Sequence, residues 1–157
     1  MRALVQRVRG AAVYVAETAA DAGPGRELGR IGHGYVVLLG IRVDDMPRDA
    51  ETLAGRVAGL RVFADDAGRM NRSILDVGGE VLSIPQFTLY ADTRHGRRPS
   101  FVDAASPERA EPLYLRFNAC LAASGVRVTP GRFRAHMTVE IHNDGPVTIL
   151  LESPAPP

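Results

Sequence analysis

An antiparallel-rich α+β domain is the fold class this sequence predicts, a barrel-like sheet accompanied by two helices. Three observations point to it. Short apolar and β-branched runs recur with turn formers between them and amount to seven or eight strands. Only two stretches carry helical periodicity. Consecutive strands joined by tight turns pair antiparallel, because parallel pairing needs a long crossover. A chain of 157 residues with 45% hydrophobic and 24% charged residues suits one domain with a real core. That domain is expected over residues 1–153, with a disordered Pro-rich tail at 154–157.

Residues 3–16 carry Val5, Val8, Val13 and Val15 on either side of Arg9-Gly10 and predict a hairpin. From Ala19 to Gly32 the composition turns to Gly, Ala and Asp with one proline, which predicts a mobile connection. The continuous apolar run Tyr35–Ile41 has strand length and predicts a strand covered on both faces. Asp45 and Pro47 then start a helix whose apolar positions Ala50, Leu53, Val57 and Leu60 are spaced three and four apart. A short strand is expected at Arg61–Ala64, a polar turn at Asp65–Ser73, and strands at Val81–Ile84 and Phe87–Tyr90. A second helix begins near Ser106 and Pro107, carries Leu113, Phe117, Cys120 and Leu121 on one face, and stops at Ser124-Gly125. Pro112 either kinks that helix or marks its first turn. Final strands are expected at Met137–His142 and Val147–Glu152. Two helices leave part of one sheet face bare, and a homodimer would cover it.

The formal net charge of +1 gives no global nucleic-acid signature, although all 19 basic residues are arginine. A GC-rich coding bias explains that preference better than phosphate binding does. A single cysteine, Cys120, excludes an internal disulfide and suits a reducing cytosol. Charge interrupts Met1–Arg7 too early for a signal peptide, and no apolar run approaches ~18 residues, so a cytoplasmic protein without a membrane span is expected.

Chemistry concentrates in Pro85–Asp92 and Asn143–Thr148. In the first, Gln86, Phe87 and Thr88 bring an amide, a ring and a hydroxyl to the end of an apolar strand. The second contains Gly145-Pro146, which removes a Cβ and a backbone donor together and presents bare carbonyls. Taken alone, Gly145-Pro146 is a turn, Gln86 a surface amide, Phe87 a core ring, Thr88 a strand threonine, Arg7 a solvated charge and Met137 core packing. His33, His95, His136 and His142 lack metal-ligand spacing, no Gly-x-Ser-x-Gly elbow is present, and the glycines around Pro24 form no phosphate-binding fingerprint. No metal or cofactor is expected. Backbone-based catalysis remains.

These two segments, together with Met1–Arg7, Met70–Ser73, Leu75–Leu82 and Gly96–Phe101, resemble the D-aminoacyl-tRNA deacylase family in the same order from Met1 to about Ser153. The resemblance implies a homodimeric esterase that cuts the bond between an amino acid and the terminal ribose of tRNA, accepting D-residues and glycine and rejecting L-residues. It places Gln86, Phe87 and Thr88 at the pocket floor. It inserts Gly145 and Pro146, joined by a cis bond, into the pocket of the other subunit, where their carbonyls hold the substrate's α-amino group and leave no room on the L side. Arg7 and Met137 would brace the loop and the pocket wall. Replacing Gly145 by a larger residue is then expected to block the pocket with little loss of stability. Hydrolysis would rest on backbone N–H groups at Phe87 stabilising the oxyanion, with the ribose 2′-OH helping to activate water. Arg94, Arg97 and Arg98 are the candidate contacts to tRNA phosphate. Two alternatives stay open. One is a nucleic-acid-binding protein without catalysis, a role described for relatives of the fold. The other is a related branch that removes L-alanine from the wrong tRNA and has Pro-Gln where the main family has Ser-Gln, as here at Pro85-Gln86.

Overall fold

The computed structural model describes residues 1–16 and 25–153. Strand β1 spans Arg2–Val15 without a break, so the expected hairpin at Arg9-Gly10 does not form. That step is a bulge, where the register against β8 (Met137–Glu152) shifts. On its other edge, β1 pairs antiparallel first with β3 (Gly34–Gly40) and then, beyond the bulge, with β2 (Arg26–Ile31). A glycine in a strand pattern marks a bulge as readily as a turn. With partners on both edges, the extended form satisfies more backbone groups than a hairpin could. β2 also corrects the expected connection over Ala19–Gly32, since residues 26–31 are strand. Residues 19–24 of that connection, and the tail at 154–157, lie outside the described residues.

After β3 come α1 (Pro47–Ala58), β4 (Phe63–Ala64), β5 (Met70–Arg72), the one-turn α2 (Ile74–Val77) and β6 (Glu80–Pro85). Then follow α3 (Pro107–Ala123) and β7 (Arg127–Pro130). β3, β6 and β7 run parallel, while every pairing of β1 is antiparallel. Sequence periodicity marked the two long helices and missed α2 and β7. Pro112 lies within α3 and does not mark its first turn. Among the described residues no helix is long and apolar enough to cross a membrane.

Alternation along the strands explains the unbroken apolar run of β3. Tyr35, Val37 and Leu39 face a core shared with Leu53 and Val57 of α1 and Tyr114 and Phe117 of α3. Val36 faces the opposite side, among Val8, Val13, Leu82 and Ile84. This second core is held in the curl of the sheet itself, whose two ends approach where Gly29 of β2 lies against the Thr129 methyl of β7.

The segment Phe87–Tyr90, expected as a strand, is a 3-10 turn. β3 ends at Gly40 and β7 at Pro130, so the ladder closes with Gln86 N–H donating to the Leu39 carbonyl at 2.8 Å. Beyond it no neighbouring strand remains to pair with. The turn satisfies its own backbone through Leu89 N–H to the Gln86 carbonyl at 3.3 Å and Ala91 N–H to the Thr88 carbonyl at 3.1 Å. Gly40 lets it close down on β3, since a Cβ there would meet Leu89 Cβ at 3.0 Å and the Gln86 carbonyl oxygen at 3.2 Å.

Candidate active site

The ends of β3 and β6 open into a cleft of about 700 Å³, lined by Gln86, Phe87, Phe101, Phe133, Arg134 and Met137 among others. Crevices outside the carboxyl ends of parallel strands are the usual ligand sites of such sheets. Phe87 is 58% exposed, and its ring meets that of Phe101 edge-on at 5.0 Å. Gln86 Nε2 donates to Thr88 Oγ1 across the turn. The N–H groups of Phe87 and Thr88 are the first of a 3-10 turn and find no acceptor within it. Two consecutive backbone donors therefore stand at the end of β6, and of the two residues Phe87 lines the cleft while Thr88 is exposed beyond its lining.

Pro85 fits this strand end without loss. Gln86 N–H points to β3, and the Ser83 carbonyl accepts from Gly131 N–H at 2.7 Å on the β7 side. Alternation turns the Pro85 nitrogen to the β7 side, past the last ladder pair Ser83–Pro130. The Ser83 carbonyl also accepts from the Tyr114 hydroxyl at 2.8 Å. Gly131 leads into the far wall of the cleft, where Arg132 N–H donates to Met137 Sδ at 3.4 Å. Met137 is thus a wall residue of the cleft.

Gly145 and Pro146 sit elsewhere. Gln6 pairs with Thr148 and Val8 with Asn143, so residues 144–147 bulge from β8 opposite the single residue Arg7. The Gly145–Pro146 peptide is cis and Gly145 has φ +132°. Arg7 clamps the bulge: its Nε donates to the Asp144 carbonyl at 3.1 Å and lies 3.4 Å from Asp144 Oδ2, while Nη1 donates to the Val62 carbonyl. Asn143 closes it from within, its Oδ1 accepting from Val147 N–H at 2.9 Å and its Nδ2 donating to Thr148 Oγ1 at 3.1 Å. Arg7 pairs with Tyr35 on β3, whereas Gln86 bonds to Leu39, the partner of Ala3. Four residues of β1 separate the two levels, about 13 Å along the strand. A second, more polar cleft of about 490 Å³ adjoins the bulge, lined by Arg7, His33, Phe63, Arg72 and Asp144 among others.

The basic loop is pinned at its base by paired backbone bonds between Asp92 and Ser100, at 2.7 and 2.8 Å. Arg94 is committed to Asp92, donating through its backbone N–H and Nε at 2.9 Å each and through Nη2 at 2.7 Å. Those hydrogen bonds hold the Asp92 carboxyl down to about 2. Arg97 and Arg98 are exposed. Among the described residues no three His, Cys, Asp or Glu side chains converge as a metal site would require. Phe133, Arg134 and His136 line the cleft, and sequence reasoning did not find them. They lie 47 to 50 residues from Gln86 in a segment with no periodicity of its own, so nothing in the sequence joins them to it.

The family model described as D-Tyr-tRNA(Tyr) deacylase matches residues 4–152. The chain belongs to that family. A D-aminoacyl-tRNA deacylase of Symbiobacterium thermophilum is 56% identical over 153 residues, covering 98% of this chain and 96% of that protein. A solved structure described as c-Myc DNA Unwinding Element Binding Protein is 40% identical with a TM-score of 0.88, covering 99% of this chain and 100% of the other. Another, described as a probable eukaryotic D-amino acid tRNA deacylase, has a TM-score of 0.79 at 18% identity over 96% of this chain and 98% of the other. At that identity it speaks for the fold alone. The family places the chain among the enzymes.

Proposed function

We propose that this deacylase hydrolyses the ester joining a D-amino acid, or glycine, to the terminal ribose of tRNA and rejects L-aminoacyl esters, as a homodimer. Activity on D-aminoacyl-tRNA follows from the family. The observation that carries the mechanism is the backbone N–H of Phe87, the first of the 3-10 turn and without an acceptor inside it, on a residue that lines the cleft. Water adds to the acyl carbon, the carbonyl oxygen takes the negative charge, and the ribose 3′-oxygen leaves with a proton. A backbone donor aimed at that oxygen is worth about 2.7–4 kcal/mol. Thr88 Oγ1 is bonded to an amide, which is not a base, so a threonine nucleophile lacks activation. The neighbouring ribose 2′-OH supplies the activation instead.

Chiral rejection is assigned to Gly145 and Pro146. Their bulge stands about four strand residues away from Gln86 within its own protomer, so it would meet the Gln86–Phe87 cleft of a second copy and not its own. The outer edge of β8 has no strand partner among the described residues, and Leu150 on it is 49% exposed, which supports pairing with another copy. Arg94, Arg97 and Arg98 are exposed on the loop closed by Asp92 and Ser100 and are assigned to the tRNA backbone, Arg94 only weakly because Asp92 holds it.

The test is hydrolysis of matched D- and L-aminoacyl-tRNA by the purified chain, with its mass in solution measured alongside. Fast D and negligible L turnover by a dimer is expected. Comparable removal of L-alanine would assign the chain to the chirally relaxed branch. Binding of nucleic acid without turnover of either ester would favour the second reading, prompted by the solved relative described as a DNA-unwinding-element binding protein.

A further inference from the structure

Among the residues that line the cleft, Arg134 is the one that its backbone conformation does not favour. Its φ is +59°, in the left-handed region, and it is the non-glycine residue of positive φ among the described residues. That conformation is unfavourable for an L-residue, and glycine or asparagine occupies it more readily. An observed outlier of this kind is a pointer to function. The turn that carries Arg134 is anchored on both sides. Before it, Gly131 N–H donates to the Ser83 carbonyl at 2.7 Å; after it, Met137 Sδ accepts from Arg132 N–H at 3.4 Å.

The charge of Arg134 is also uncommitted. Its partner Glu108 lies at 3.9 Å, with the two side chains 69% and 74% exposed, so the pair is screened and weak. Arg94, by contrast, is held by Asp92 through three hydrogen bonds. Arg134 lines a cleft whose other residues are apolar and aromatic apart from Gln86 and His136. A flat heterocycle with an anionic group attached matches that lining: rings and small apolar side chains within, a guanidinium at the mouth.

We infer that Arg134 binds the phosphodiester on the 5′ side of the terminal nucleotide of the tRNA, while the ester lies against Phe87. This rests on the function proposed above. Arg134 then acts on substrate binding and not on bond breaking, in addition to the contacts assigned to Arg97 and Arg98.

Two substrates separate the possibilities: a D-aminoacyl-tRNA, and the D-aminoacyl ester of adenosine, which carries no phosphate. Arg134→Gln is expected to raise KM for the tRNA on the order of tenfold, the worth of one charged hydrogen bond, with kcat unchanged. The slope of log kcat/KM against log salt should become shallower by about one. Turnover of the adenosine ester should not change. Arg134→Gly suits the left-handed backbone and should repeat these effects even if the glutamine variant folds poorly, and Arg94→Gln should show much smaller ones. Equal losses on both substrates, or an unchanged salt slope on tRNA, would overturn the assignment. If the unmodified protein hydrolyses neither ester, the deacylase reading fails instead.

Discussion

Arg7 and Arg9 bind the same carboxylate from opposite circumstances, and removing each in turn measures what burial contributes. Arg7 is 15% exposed and reaches the Asp144 carbonyl at 3.1 Å, its carboxylate at 3.4 Å and the Val62 carbonyl. Arg9 is 81% exposed and lies 2.9 Å from Asp144 Oδ1. Distance alone would rank Arg9 first. Arg7→Ala, however, strands two carbonyls and a largely buried carboxylate, and breaking a buried pair costs about 3–5 kcal/mol. Asp144 is 24% exposed and keeps Arg9, so the lower end applies, about 3 kcal/mol. Arg9→Ala should cost under about 1 kcal/mol. For a domain of this size 1 kcal/mol moves Tm by about 2–4 °C, so Arg7→Ala should melt about 6–12 °C lower and Arg9→Ala close to the parent, at one fixed protein concentration. Because Arg7 holds the bulge that carries Gly145 and Pro146, the ratio of D- to L-ester hydrolysis should also fall by about tenfold or more in Arg7→Ala alone, the factor that 1.4 kcal/mol carries. Equal melting points and equal selectivity in the two variants would refute the bracing role of Arg7.

Gly145→Ala should lower stability by about 1–3 kcal/mol in a thermal melt, more than the sequence led one to expect. Its Cβ would lie 2.8 Å from Val147 Cγ2 and 3.2 Å from Arg7 Nη2, at φ +132°; a melt unchanged from the parent would contradict this. Thr88→Ala should slow single-turnover hydrolysis far less than replacing the terminal 2′-OH by hydrogen does, and the reverse ranking would point to a threonine nucleophile. Pro85→Ser should leave D-selectivity intact and alter Tm by no more than about 3 °C, because the Pro85 nitrogen faces past the end of β7. A gain or loss of L-alanine removal in that variant would instead make position 85 part of the stereochemical filter.

Local pattern was enough for the two long helices and for β3, whose apolar run is buried on both faces as its composition required. It failed where tertiary partners decide. Arg9-Gly10 could turn or bulge, and β2, β3 and β8 beside β1 selected the bulge. Phe87–Tyr90 has strand composition, but the neighbouring strands end before it, so the chain coils into a 3-10 turn.

By itself, then, the sequence determined the fold class, the family through Pro85–Asp92 and Asn143–Thr148, and the inventory of groups a reaction could use. Short-range periodicity and residue chemistry are written in consecutive positions. Only the tertiary structure decided which of those groups meet. It set Gly145-Pro146 and Gln86 at different levels of one sheet, committed Arg94 to Asp92, and brought Arg134 to the wall of the cleft. Such pairings depend on strand register and on where a neighbouring strand stops, and both are fixed by the packing of the whole chain.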